Sequence, residues 1–156
     1  MKFEDLENDL KKGIGLVRVN AAIELGKLKD KKAIPALLVA LKDPNMALRN
    51  NAAFALGEIG AGEAVPHLIG LLRDPEERVR KSVVKAMGMI RAREAVAPLI
   101  QVLDTETSRV VRKSAIRSLG QIGDPTALSV VERFVSHPDP TLADAAKKSV
   151  ESLRKQ

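Results

Sequence analysis

The sequence predicts an all-α solenoid of about five stacked helix pairs, with no β-structure. Three observations carry this. First, a pattern of about 31 residues recurs: Gly26, Gly57, Gly88 and Gly120 fall 31, 31 and 32 residues apart, and so do Arg18, Arg49, Arg80 and Arg112. A fixed period of this size marks stacked supersecondary units. Second, apolar residues within each unit recur at helical spacing and never alternate as in a strand. Third, Asp-Pro and Gly punctuate the units where helices should stop.

The clearest unit runs from Leu56 to Ala86, LGEIGAGEAVPHLIGLLRDPEERVRKSVVKA. Its first helix spans Glu63–Arg73, with Ala64, Val65, Leu68, Ile69, Leu71 and Leu72 as an apolar stripe. Pro66 lies in its first turn, where a missing N–H is harmless. Asp74-Pro75 ends it, because a residue before proline is pushed out of the α region. Glu76 and Glu77 open the second helix with charge suited to its positive end. That helix turns Val79, Val83, Val84, Ala86, Met87 and Ile90 inward. The same logic gives Phe3–Lys11 with Leu16–Leu28, Lys32–Lys42 with Met46–Ile59, Glu94–Leu103 with Arg109–Ile122, and Thr126–Ser136 with Thr141–Leu153. All belong to a single domain, 1–156, with repeats of about 1–30, 31–61, 62–92, 93–123 and 124–156.

The ends deviate. The first helix mixes Asp5, Glu7 and Asp9 among its apolar residues, and the last carries Asp144, Lys147, Lys148 and Glu151. Both read as caps with a polar outer side. The turn Asp104–Ser108, DTETS, has one extra residue and no proline, and is expected to be the loosest.

Composition excludes several functions. There is no cysteine, so neither a disulfide nor a thiolate metal site or nucleophile exists. The amino-terminal MKFEDLENDL is acidic rather than a signal peptide, and no apolar run approaches a bilayer span. A cytoplasmic location is expected, with no membrane association. His67 and His137 are the two histidines and lie far apart in sequence, so no metal site is expected. No catalytic triad spacing and no phosphate loop is present, no cofactor is implied, and the chain is expected not to be an enzyme.

DPEERVRKSVVKAMGMI, DPNMALRNNAAFALGEIG and VRKSAIRSLGQIGD resemble the HEAT-like repeats first associated with phycobilisome lyases. Their pattern runs roughly D-P-x-x-x-V-R-x-x-A-A-x-A-L-G-x-I-G-D, then A-V-P-x-L. The resemblance covers Phe3 to Leu153. It implies a right-handed α-solenoid of HEAT-like helix pairs whose second helices line a concave face. It also implies binding scaffolds more often than the family's chromophore lyases.

Repeated residues then read as scaffold. The arginine series should pair with turn carboxylates or carbonyls within and between repeats. The glycines inside the second helices should let neighbours approach closely, and Gly60 and Gly123 should end helices. Function is expected at the residues that vary. Repeat two offers Met46, Asn50, Asn51 and Phe54 to the groove, repeat three Arg78, Lys81 and Lys85, repeat four Arg109, Lys113 and Arg117, and repeat five Lys148. The groove therefore turns from polar-apolar to basic. Residues 1–78 hold twelve Lys/Arg and twelve Asp/Glu, whereas residues 79–156 hold fourteen and eight, so the net charge of +6 lies in the second half.

The function expected is a non-catalytic scaffold, monomeric, that holds an acidic protein or peptide in this groove. Phe54 and Met46 would be the apolar anchors. Nucleic-acid binding along the basic stripe is the alternative. Against it stand the lack of Trp and Tyr for stacking and the acids Glu77 and Asp144. A lyase-type enzyme or lyase subunit, with Glu58, Glu77 or Asp144 as a base, is the third reading.

Overall fold

A computed structural model describes residues 1–156. It contains ten α-helices and no strand: α1 (Phe3–Lys12), α2 (Leu16–Leu28), α3 (Ile34–Ala40), α4 (Met46–Ile59), α5 (Val65–Ile69), α6 (Glu77–Ile90), α7 (Val96–Thr105), α8 (Arg109–Ile122), α9 (Leu128–Glu132) and α10 (Pro140–Arg154). Short 3₁₀ turns precede α3, α5, α7 and α9. The helices form two layers. Even-numbered helices stack directly on one another, α2 on α4, α4 on α6, α6 on α8 and α8 on α10. The odd-numbered helices line the other side. Leu37, Leu56, Leu68, Met87, Leu99, Ile116 and Leu142 belong to one continuous core of 44 buried residues between the layers.

The second helices start and stop by local chemistry. Asn45 caps α4 by accepting from the N–H groups of Ala47 and Leu48, Ser108 caps α8 through the Val111 N–H, and Asp139 caps α10 through Thr141. Such caps satisfy donors that the first helical turn leaves free. At the other end the chain leaves through a left-handed residue. Gly60 and Gly123 hold this position at φ +76°, and Lys29 and Arg91 hold it in repeats one and three at φ 54° and 57°.

The first helices are shorter than the sequence predicts. Instead of reaching Lys42, Arg73 and Ser136, α3, α5 and α9 end at Ala40, Ile69 and Glu132. The chain then tightens into i→i+3 bonds, with Lys42 N–H donating to Val39, Leu72 to Ile69 and Val135 to Glu132. The proline after each of these segments bars continued α-helix and forces reversal within a few residues. The exception proves the cause: α7 lacks that proline, has one more residue before the turn, and stays α-helical to Thr105.

The helical glycines set the spacing of the second-helix layer. A Cβ on Gly57 would lie 2.8 Å from Ala86 Cα, and one on Gly26 would lie 2.8 Å from Ala55 Cα. A Cβ on Gly88 would lie 2.8 Å from Ser118 Cβ, and one on Gly120 would lie 3.0 Å from Ser149 Cα. Each glycine thus receives the small residue six places after the arginine position of the next repeat. The serines add a tie, since Ser118 Oγ donates to Val84 O and Ser149 Oγ to Ile116 O. Because only the second-helix layer is drawn this close, it is the inner, concave side of the stack.

The arginine series clamps the turns at the edge of the stack. Arg49 donates to the carbonyls of Asp43 and Pro44 in its own turn, and through Nε and Nη2 to the Asp74 carboxylate of the next. Arg80 repeats this with Asp74 O and Glu106, and Arg18 with Leu10 O and Asp43. Glu106 also accepts the Ser108 N–H. The DTETS turn is therefore pinned, contrary to the expectation that it is the loosest. Its extra residue carries the longer acid to the place that Asp43 and Asp74 hold in other repeats.

The series changes at its last member. His137 takes the acid's place, its Nδ1 accepting the Asp139 N–H. Arg112 instead lies over the Phe134 ring, 5.3 Å from its centroid, and its Nε is buried without a hydrogen-bond partner. Phe134 stacks in turn on His137.

The amino-terminal end is not capped as the sequence suggests. Beside the charged residues of α1, Ile14 is 83% and Leu16 75% exposed, and Val17 and Leu28 are exposed as well. The Lys12–Gly15 turn has no Asp-Pro to fold it back over the next helix.

Two outcomes follow from this packing. Gly88→Val must separate α6 from α8 and should destabilise the chain by about 2 kcal/mol, lowering Tm by about 5 °C; an unchanged melting curve would contradict the close approach. The second concerns Asp74. Burial pushes its carboxyl up, but the hydrogen bonds from Arg49 and the Glu76 N–H, with the charges of Arg49 and Arg80, outweigh this and hold it below the usual range. The same balance, with burial again opposing, lowers Glu106 through Arg80 and Asp43 through Arg18 and the Asn45 N–H. Stability from these groups is complete above the unfolded carboxylate pKa of about 4 and is lost as pH falls through the lower folded values. Asp74→Ala should cost about 3 kcal/mol near neutral pH and less at about pH 3, as measured by urea unfolding. An equal loss at both pH values would remove the ion-pair account.

Candidate binding face

The exposed and partly exposed residues of the second helices fall into rows that cross the concave side. One row, five residues after each arginine position, is Phe54, Lys85, Arg117 and Lys148, with no acid in it. A second, one residue after, is Asn50, Lys81, Lys113 and Asp144. The rows exist because side chains one helical turn apart share a face, and because the glycine contacts hold neighbouring helices in constant register. Lys85 Nζ sits 5.8 Å from the Phe54 ring centroid, and Phe54 is 36% exposed. The aromatic and the first cation of the row therefore form one feature.

The proposed groove residues do not all behave alike. Lys81, Lys85, Arg117, Lys113, Lys148 and Arg78 engage in no ion pair, whereas Arg109 Nη1 lies 3.5 Å from Asp139 Oδ2 at the turn edge. Arg109 thus belongs to the inter-repeat contacts more than to the open row. Met46 is partly buried and packs on the core, so it is not a free anchor. Asn51 donates through Nδ2 to the Ala47 carbonyl of its own helix, and Asn50 accepts from Ser82 Oγ of the next repeat. Both amides partly serve the scaffold. Glu77 accepts from Ser108 Oγ, again across repeats.

Sequence reasoning missed one neighbourhood. Arg91, Arg117, Gln121, Lys148, Ser152 and Gln156 surround a depression of about 410 Å³ whose lining contains no apolar side chain. Arg91 reaches it from the left-handed residue after α6, a position that pattern reading assigns to helix termination alone. A second concavity of about 330 Å³, between α1 and α2, is lined by Leu6, Val17, Ala21 and Leu28 beside Asp9 and Glu24. No group of three or more His, Asp or Glu side chains gathers in a way that could hold a metal ion. No helix is long and apolar enough to cross a membrane.

Among solved structures, the chain resembles the complex of CpcE and CpcF of phycocyanin lyase from Nostoc sp. PCC7120. The identity is 30% and the TM-score 0.89, over 100% of this chain and 66% of that one. The chain thus spans about two thirds of that neighbour's length. It is alike in fold to an engineered protein, at 22% identity and TM-score 0.69 over 98% of this chain and 79% of the other. It is equally alike to a designed armadillo repeat protein in complex with the peptide (KR)4, at 20% identity and TM-score 0.69 over 97% and 81%. No curated protein sequence matches the chain. The model of HEAT repeats matches residues 6–84 and again 69–154. Nearly every helix pair lies within those two matches, and the chain belongs to the HEAT-repeat family.

Proposed function

We propose that the chain is a non-catalytic, monomeric scaffold that docks an acidic protein segment across its second helices. The observation that carries this is the acid-free row Lys85, Arg117 and Lys148, flanked by Lys81 and Lys113, none of them in an ion pair. Phe54 lies at the end of the row, under Lys85. A half-exposed aromatic beside unpaired cations suits a segment with acidic side chains and one apolar anchor. Successive packed helices lie about 8–10 Å apart, and an extended chain rises about 3.3 Å per residue. A segment with an acid at every third residue would therefore meet one cation per helix. The cations chiefly set the rate of encounter and its salt dependence. The basic peptide (KR)4 held by a designed armadillo repeat protein of similar fold supports an extended peptide as the ligand class, and the sign of its charge here is argued from the row alone.

The test is a titration with an extended peptide bearing Glu at every third residue and one Phe. The quadruple variant Lys81→Glu, Lys85→Glu, Lys113→Glu, Arg117→Glu should weaken binding by at least about a hundredfold, and salt should weaken the native complex. Unchanged affinity would refute the proposal. Tighter binding of a single-stranded oligonucleotide than of the peptide, with a steep salt slope, would favour the nucleic-acid reading instead.

One observation favours a second reading. The 30% identity to a chain solved as a two-protein lyase complex suits a subunit that works only beside another chain in a lyase-type assembly. Light scattering separates the two. The scaffold should run as a 16.9 kDa monomer, alone or mixed with CpcE or CpcF; a stable heterodimer with either would favour the subunit.

A further inference from the structure

We propose that the depression bounded by Arg91, Arg117 and Lys148 is a pocket for a phosphoryl monoester, the phosphoserine or phosphothreonine side chain of the docked acidic segment. The inference rests on the scaffold reading above and names what fixes the segment at its carboxy-terminal rungs. The three cations come from three successive helices: Arg91 from the end of α6, Arg117 from α8 and Lys148 from α10. None takes part in an ion pair or a side-chain hydrogen bond, and no Asp or Glu side chain lines the depression. Gln121 and Ser152 add neutral donors around the rim, where Gln156 Nε2 donates to the Ser152 carbonyl. The floor is Gly120 against Ser149, the tightest kind of helix contact in the molecule. Small residues there leave room above them, and no hydrophobic residue lines that room.

The charge and donor count select the ligand. A carboxylate brings one charge and two acceptor oxygens, and would leave two of the three cations facing each other unneutralised. A phosphoryl monoester brings about −1.5 to −2 charges and three strong acceptors at neutral pH. Arginine offers it paired N–H donors in a fork, and lysine a point charge. With no aromatic ring in the lining, a nucleobase has no ring to stack on. The competing account is that these cations only neutralise the carboxy-terminal ends of α6, α8 and α10. Each helix end carries about half a negative charge, so the three ends take up about one and a half of three positive charges and leave the rest of the field for a ligand.

The depression also continues the acid-free row, since Arg117 and Lys148 belong to both. A segment running along the row from Phe54 reaches it after crossing α6. The site would thus make docking depend on modification of the partner: an unmodified segment meets the row alone, and a phosphorylated one meets the row and the pocket.

The experiment compares three peptides of one acidic sequence, differing only in carrying Ser, Glu or phosphoserine at the position that reaches α8, by fluorescence anisotropy. The native chain should bind the phosphoserine form about tenfold or more tighter than the Ser form, with the Glu form much nearer to Ser. The variant Arg91→Gln, which leaves every residue of the row in place, should cut that preference to about threefold or less while leaving the Ser form within about threefold. All three cations are exposed and touch no partner, and circular dichroism melting checks that the variant folds. Equal affinity for the three peptides would overturn the pocket and leave the acidic scaffold standing. Binding of the phosphoserine form alone, lost in the variant, would support the pocket while refuting docking of unmodified acidic segments. A preference that survives in the variant would overturn the assignment to these residues.

Discussion

The approach of each second helix to the next through a glycine is the constraint on which the rest of the molecule depends. At Gly26, Gly57, Gly88 and Gly120 there is no room for a Cβ, because the Ala or Ser of the following helix occupies the space. A glycine inside a helix costs about 1 kcal/mol against alanine, and the chain accepts it four times. What is gained is a contact of backbone against backbone repeated at constant register. Helices locked this way cannot slide relative to one another, so equivalent side chains line up in rows. The rows on the exposed side are the candidate binding face.

The arginine clamps act at the other edge of the same helices and fix what the glycines leave free. A glycine contact sets distance but permits rocking about its point of closest approach. Arg49 holds its own turn by two carbonyls and the next by a bidentate bond to Asp74, which removes that freedom. Arg80 and Arg18 do the same with Glu106 and Asp43. These acids are therefore neutralised within the scaffold, and they add little to the field on the concave side. Arg112 has no such acid and covers Phe134 instead, so the clamp between the last two repeats is built from stacked rings over which a cation lies. Ser149 Oγ bonded to Ile116 O supplies a compensating tie between the same two helices.

Much of this was legible in the sequence. The spans Met46–Ile59, Glu77–Ile90 and Arg109–Ile122 read directly from apolar spacing, because the caps, the ladder arginine and the glycine all recur within them. The first helices were less legible. Their apolar stripes continue past the true α-helical ends, since residues such as Leu72 and Phe134 pack inward from an i→i+3 turn as well as from an α-helix. Periodicity cannot separate those two geometries over one turn. The turn Asp104–Ser108 misled for a related reason: missing proline signals looseness, but whether a carboxylate reaches a particular guanidinium depends on three-dimensional register. On the face itself, composition gives the order of the cations along the chain but not their engagement. Arg109 faces Asp139 of the next repeat and Asn51 folds onto its own helix, and neither contact leaves a mark in spacing.

The distribution of acids explains why the binding face carries charge at all. The carboxy-terminal half has eight acids against fourteen bases, and most of the acids are engaged elsewhere. Glu106 is held by Arg80, Asp139 caps α10, Asp124 bonds Thr126, and Glu132 pairs with Arg154. Asp144 alone stands in one of the two face rows. Scaffold positions are over-determined by their neighbours, so a change there is resisted by packing or by a buried ion pair. Face positions are held by few contacts: Lys85 lies over Phe54, while Arg117 and Lys148 make none that favours a positive charge. Packing thus gives little reason for cations in three consecutive repeats, where mutual repulsion slightly opposes folding. The physical argument for a partner rests there: a row that the fold does not require, and that the fold alone would relieve by mixing in acids, is maintained across helices whose spacing the glycines fix.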